Sequence, residues 1–114
     1  MERAVLLYTT YPSLVEAEEA GRALVERRLC ACVNILPGMV SVYWWQGAVE
    51  RGEEVVMIIK TRASLIEPVR AAVRQMHSYT TPAILVLPVE HVDPDYHAWI
   101  VAETQDAETG GAGT

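Results

Sequence analysis

Chemistry in this chain has to come from a small set of side chains. Its two cysteines, Cys30 and Cys32, stand two apart. On a strand that spacing puts both on one face, where two soft sulfur donors can chelate an ion such as Cu(I). Two small buried hydrophobes explain the pair better, since free cysteine is among the most buried residue types. His77 closes a helical pattern, where an imidazolium complements the dipole of the helix before it. With Tyr79 and Lys60 it also offers the polar wall of a cleft between subunits. His91 and His97 are expected to face solvent, and the three histidines form no i, i+4 pair of the kind a helix-borne metal site uses.

Tyr43, Trp44 and Trp45 are packing residues first and walls of a small-molecule pocket second. Glu54 and Lys60 bracket an apolar run, marking either where a buried strand meets water or the rim of a pocket. Asp93 and Asp95 flank Pro94 and read as helix-start residues. There is no nucleophile elbow, glycine-rich phosphate loop or zinc-spaced cluster. No catalytic residue is assigned, and the chain reads as a non-enzyme.

The bulk properties narrow the partners. At 114 residues the chain is one domain that buries roughly two-thirds of the surface its unfolded form exposes. A formal net charge of -6, with 9 scattered Lys and Arg residues, argues against a nucleic-acid or anionic-membrane partner. No stretch of about 18 apolar residues is present for a membrane span, and no signal-peptide pattern precedes the first strand. Two cysteines make no disulfide scaffold, so a reducing, cytoplasmic location is expected.

Two long strands, 31–46 and 49–62, are expected to meet at a turn around Gly47. Val40, Val42 and Trp44 alternate with Ser41, Tyr43 and Trp45, the period of two of a strand. Pro37-Gly38 should bend the first of them and make it an edge. The returning run from Val55 to Ile59 is apolar at every position, which asks for cover on both faces. Around this hairpin, a strand is expected over 4–9 and another over 83–87. A helix capped by Ser13 and Glu16 should run to about Leu29, with Ala17, Ala20, Gly21 and Leu24 inward. Ser64 and Glu67 repeat the capping spacing before a second helix with Leu65, Ile66, Val69, Ala72, Val73 and Met76 inward. A third helix starts at Asp93-Pro94-Asp95.

This order is the split βαβ, ferredoxin-like arrangement: an α+β fold with a four-stranded antiparallel sheet, two helices on one face, a long central hairpin and a C-terminal helix. Right-handed crossovers leave the other sheet face open, and another copy of the chain is the expected cover. The domain is assigned to 1–104, and 105–114, rich in Gly, Ala, Thr and acids, is expected to be a disordered tail.

The run Ala31-Cys32-Val33-Asn34-Ile35, then Pro37-Gly38, Ser41-x-Tyr43-x-Trp45-Gln46-Gly47, Glu54, Lys60-Thr61, His77-x-Tyr79-x-x-Pro82 and Tyr96-x-x-Trp99, resembles the CutA divalent-cation-tolerance family over nearly the whole chain. The resemblance implies a PII-like homotrimer whose hairpins interlock about a threefold axis. It also implies a cytoplasmic role in tolerance of, and response to, divalent cations, copper among them. Ser78 and Ala83 stand where the family has proline and an acidic residue. Of the copper ligands proposed for some members, a first-strand cysteine and a His-His pair, this chain has Tyr8 and Met76-His77. The implied ion is Cu(II) or another divalent cation, not tightly held, with His77 and then Cys32 as candidate ligands and Tyr43, Trp45, Glu54, Lys60 and Tyr79 lining the cleft. The alternative is a PII-like small-molecule sensor acting through a protein partner, in which Lys60 and Arg62 hold a small anion or nucleotide.

Overall fold

In the computed structural model, which describes residues 2–105, the first apolar run forms strand β1, Ala4–Tyr11. Helix α1, Leu14–Glu26, follows it. The long hairpin is β2, Cys32–Trp45, and β3, Ala48–Arg62. A 3-10 turn, Ala63–Leu65, leads into helix α2, Ile66–Met76, then strand β4, Ile84–Pro88, and helix α3, Pro94–Glu103. The sheet order is β2-β3-β1-β4 and every pair is antiparallel, so the fold is the expected ferredoxin-like split βαβ. Apart from its first residue, the tail expected over 105–114 lies outside the described residues.

Alternation divides the sheet cleanly. Val5, Leu7 and Tyr11 of β1 and Val55, Met57 and Ile59 of β3 point to the side of α1 and α2 and join one core with Leu24, Val69 and Val73. At Gly21 α1 lies close on β2: a Cβ there would sit 2.7 Å from Val33 Cγ2. The opposite face is not wholly open. Helix α3 covers one end of it, with Ile100 packed on Ala4 and Ala31. Away from α3, Leu36 and Leu85 are each 50% exposed and Leu87 40%. The face expected to be left open is thus covered at one end by the C-terminal helix of the chain itself.

The helix ends differ from the capping expected. Ser13 Oγ accepts from Glu16 N at 3.2 Å, but the Glu16 carboxylate does not return to close the box; it accepts from Ser78 N at 3.1 Å. Helix α1 stops before Leu29. Leu29 N bonds to Leu24 O and Arg28 N to Val25 O, the paired closing bonds that go with a left-handed residue, here Arg28 at φ 57°. Ser64 does not cap α2. Its N and Oγ donate to the Glu2 carboxylate at 2.8 and 2.7 Å, and Glu67 pairs with Arg70 instead. Asp93 precedes Pro94 as expected but makes no side-chain cap bond.

Pro37-Gly38 forms a bulge. Leu36 pairs with Val56 and Met39 with Glu54, so two residues of β2 face one of β3. Beyond the bulge the alternation is shifted, and Ser41, Tyr43 and Trp45 share the face of Leu36, Val56 and Glu54. β1 pairs with β3 only from Val55 onward. The far part of the hairpin is therefore a two-stranded arm, and it lengthens the molecule to 46 Å. Val42, Trp44 and Trp45 on that arm are 69%, 75% and 59% exposed.

Candidate functional site

Where β1 ends, the loop after α2 crosses to the hairpin and a cleft of about 830 Å³ opens between them. Glu54 is its centre. Ser41 Oγ donates to Glu54 Oε1 at 2.9 Å and the Tyr79 hydroxyl donates to Oε2 at 3.0 Å. Each carboxylate oxygen keeps a second lone pair. Tyr43 and Trp45 from β2 form the aromatic wall. Thr10, Gly52, Glu53, Thr80 and Thr81 complete the lining, but the side chain of Glu53, one residue from Glu54 on β3, leaves on the opposite face of the strand. No Lys, Arg or His is among the lining residues, and Glu54 has no ion-pair partner among the described residues.

His77 holds this loop in place from behind the cleft. Its side chain is 0% exposed. Nε2 lies 2.6 Å from Thr10 O, and Tyr79 N donates to Nδ1 at 3.1 Å. A carbonyl on one nitrogen and an N–H on the other fix the tautomer: Nε2 carries the hydrogen and Nδ1 accepts. The ring stacks on Tyr11 with centroids 4.3 Å apart and planes 12° from parallel, and Tyr79 lies tilted beside it at 4.8 Å. The Tyr79 phenol is pushed up to about 12, first by burial and then by its bond to the Glu54 carboxylate, so it remains a donor at neutral pH.

The expected site residues thus separate into two places. Tyr43, Trp45, Glu54 and Tyr79 line one cleft. His77 stands behind it with both nitrogens engaged, so as folded it has no lone pair for a metal ion, in contrast to the ligand role expected. Lys60 is six residues from Glu54 along β3, about 20 Å at the rise of a strand, and does not share the cleft within one chain. Its Nζ donates to the Tyr96 hydroxyl at 3.1 Å on α3, which with burial opposing it leaves Lys60 raised above its ordinary value. Arg62, the other candidate for an anion, pairs with Glu2 at 3.3 Å and donates to the Thr104 and Gln105 carbonyls.

The cysteines do not share a face. Cys30 precedes β2 and is buried in the α1/α2 core, whereas Cys32 Sγ lies 3.9 Å from the Tyr96 hydroxyl on the α3 side. The strand starts only at Cys32, so the alternation rule does not reach back to Cys30, and the shared face expected of the pair is not formed. Among the described residues no three His, Cys, Asp or Glu side chains are placed to hold a metal ion.

Ser41, Thr10 and Glu16 were not singled out from the sequence as site residues. Ser41 carried a signal, since it alternates in phase with Tyr43 and Trp45. Thr10 contributes a backbone oxygen to His77, and Glu16 reaches Ser78 across the fold; neither leaves a local mark.

Comparison with known proteins places this geometry. Residues 5–103 match the family described as CutA1 divalent ion tolerance protein. The divalent-cation tolerance protein CutA of Archaeoglobus fulgidus is 46% identical over 82% of this chain and 91% of its own length. The mouse protein CutA is 39% identical over 91% of this chain, which spans 59% of the mouse protein. Among solved structures, CutA1 of Ehrlichia chaffeensis superposes with a TM-score of 0.89 at 30% identity, covering 93% of this chain and 99% of that one. The structure of the A. fulgidus protein, described as periplasmic, superposes at 0.86 with 42% identity, covering 90% and 99%.

Proposed function

The chain belongs to the CutA1 divalent ion tolerance family, and from that premise we propose that it serves divalent-cation tolerance by binding rather than by catalysis, as a cytoplasmic homotrimer with its clefts between subunits. The observation that carries the reading is the two-stranded arm of the hairpin. Its aromatic and branched residues are bare on both faces, and a lone two-stranded ribbon is marginal in water. Neighbouring copies that pack on the arm bury it. The number three comes from the family resemblance.

The ion, Cu(II) or another divalent cation, is held weakly. One chain offers the Glu54 carboxylate with the hydroxyls of Ser41 and Tyr79 on it, an oxygen set suited to harder ions, and a complete shell needs water or groups from a second copy. The separate thiols of Cys30 and Cys32 fit a reducing compartment. A second reading, a small-molecule sensor acting through a protein partner, is favoured by the cleft volume of about 830 Å³, within the range of ligand pockets.

Sedimentation velocity at micromolar concentration, run beside a calorimetric Cu(II) titration of the native chain and Glu54→Gln, tests the proposal. A particle three times the chain mass, with binding weakened in Glu54→Gln, is expected. A single-chain particle overturns the assembly, and equal isotherms remove Glu54 as the ion's anchor.

A further inference from the structure

We propose that Pro37-Gly38 is the positioning element of the Glu54 site: of two registers open to the long hairpin, it selects the one that brings Ser41 onto Glu54. This rests on the reading of Glu54 as the ion's anchor and names the residues that set the site's composition. Pairing inside one hairpin is internal to the chain, so copies that pack on the arm meet whichever faces the register gives them.

The two registers follow from the residues of β2 and β3. A ladder continued without interruption from Leu36 and Val56 would pair Gly38 with Glu54, Val40 with Gly52, Val42 with Glu50 and Trp44 with Ala48, leaving Trp45-Gln46-Gly47 as the loop. In the structure Met39 pairs with Glu54, Ser41 with Gly52, Val42 with Arg51 and Trp45 with Ala48. A slip of one residue exchanges the faces of a strand. The uninterrupted register turns Val40, Val42 and Trp44 to the side of Glu54, whereas the observed one turns Ser41, Tyr43 and Trp45 there. Only the observed register supplies a hydroxyl, and Ser41 Oγ donates to Glu54 Oε1 at 2.9 Å.

Neither the tip nor the apolar pattern makes this choice. A three-residue loop with glycine in the left-handed position is a common hairpin connection, and Trp45-Gln46-Gly47 fits it. The observed two-residue loop holds Gln46 at φ 49° beside Gly47 at φ 83°, and a residue with a Cβ resists that conformation. Large apolar side chains lie on both faces of the arm, Val40, Val42 and Trp44 on one and Tyr43 and Trp45 on the other, so the slip trades one apolar face for another.

Pro37-Gly38 decides the matter. In the uninterrupted ladder Pro37 would stand opposite Val55, where its ring fixes φ near about −65°, far from the roughly −140° of an antiparallel strand. Gly38, at φ 84°, supplies the left-handed residue on which one class of bulge is built. A Cβ on it would meet nothing within 4 Å, so the glycine is needed for its backbone and not for close packing. The pair favours the bulge and disfavours the regular ladder.

The test is methyl NMR of the native full chain and two variants, with a calorimetric Cu(II) titration of each. In the native chain the Val42 methyls are expected to give cross-strand NOEs to Arg51 and none to Glu50. Pro37→Thr/Gly38→Val puts strand formers at both positions. It is expected to move those NOEs to Glu50 and to weaken Cu(II) about tenfold, the order of one lost hydrogen bond to a charged group. Pro37→Thr with Gly38 deleted removes the extra residue instead, so that Met39 and Ser41 stay opposite Glu54 and Gly52 without a bulge. This variant is expected to keep the NOEs to Arg51 and the native Cu(II) affinity, a rescue that a merely structural need for the Pro-Gly pair would not give. Matching far-ultraviolet circular dichroism and sedimenting mass show that each variant is intact.

NOEs that stay on Arg51 in Pro37→Thr/Gly38→Val overturn the proposal. Native Cu(II) affinity in the slipped register overturns it too, as does lost affinity in a deletion variant that has kept the native pairing. Should the substituted variant fail to fold, the deletion variant decides by the same two readouts. If the native chain gives no Cu(II) isotherm, the ion anchor falls, and the NOEs alone decide whether Pro37-Gly38 sets the register.

Discussion

The Tyr79 hydroxyl donates to Glu54 Oε2 across 3.0 Å, and this one bond ties the loop after α2 to the point where the hairpin leaves the sheet. Loop and arm form a cleft because Glu54 is held from both sides, by Tyr79 and by Ser41. Removing the hydroxyl in Tyr79→Phe is expected to cost about 1 kcal/mol of folding stability, the usual net value of a partly exposed bond. Urea denaturation of the two proteins measures it, and unchanged stability means that the loop is held by His77 alone.

The same bond sets an alkaline limit. The folded Tyr79 phenol, pushed up to about 12 by burial and by Glu54, binds its proton more tightly than the unfolded phenol, which titrates near about 10. Its contribution is complete below the unfolded value and is lost as pH rises through that window toward the folded one. Cys30, pushed up to about 12 by burial and then by Cys32, acts in the same direction. Stability is expected to fall with rising pH from about 9, where the unfolded Cys30 thiol begins to ionise, and further above about 10, there less steeply in Tyr79→Phe than in the native chain. Identical slopes contradict the shift assigned to Tyr79.

His77 is a structural pin. His77→Ala leaves the Thr10 carbonyl and the Tyr79 N–H without partners and a void beside Tyr11. A loss of about 2–4 kcal/mol is expected from the unpaired groups and the void, with Cu(II) affinity per folded chain unchanged. A stable variant that has lost its Cu(II) isotherm restores His77 as a ligand.

Gly21 is required by distance. In Gly21→Ala the new methyl meets Val33 Cγ2 at 2.7 Å, and α1 must lift from β2 or Val33 must move. Overpacking of this kind costs about 1–3 kcal/mol, partly offset by the better helix propensity of alanine, about 1 kcal/mol. Thermal unfolding is expected to shift downward, and an upward shift shows that Val33 gives way freely.

Arg28 closes α1 in the left-handed region at φ 57° while pairing at 3.1 Å with Glu103 on the exposed surface. Arg28→Ala loses the pair and keeps the strain; Arg28→Gly loses both. The glycine variant is expected to be more stable than the alanine one by about 1 kcal/mol. Equal stabilities in urea mean that the backbone strain is negligible.

The arrangement of elements was legible in the sequence because each signal is local. Alternation gave the hairpin, Ser13 gave the start of α1, and the small residues at 17, 20 and 21 gave its inner face. The Pro37-Gly38 bend was also foreseen, since proline cannot donate to a ladder. Its effect on the phase beyond it was not, because a bulge shifts the alternation by an amount that only pairing with β3 defines. Local spacing misled at Ser64 and Glu67, where the reach of Glu2 across the fold captured the serine first.

The sequence by itself determined which segments form strands and helices, their order and hence the split βαβ fold, because backbone preference and apolar period are properties of neighbouring residues. Only the tertiary structure decided that Tyr79 meets Glu54, that Lys60 goes to Tyr96, and that Cys30 joins the α1/α2 core while Cys32 approaches Tyr96. Those meetings depend on where strands end and loops cross, and on which distant partner first satisfies a buried polar group. Such distances are fixed by packing of the whole chain and are encoded in no single stretch of it.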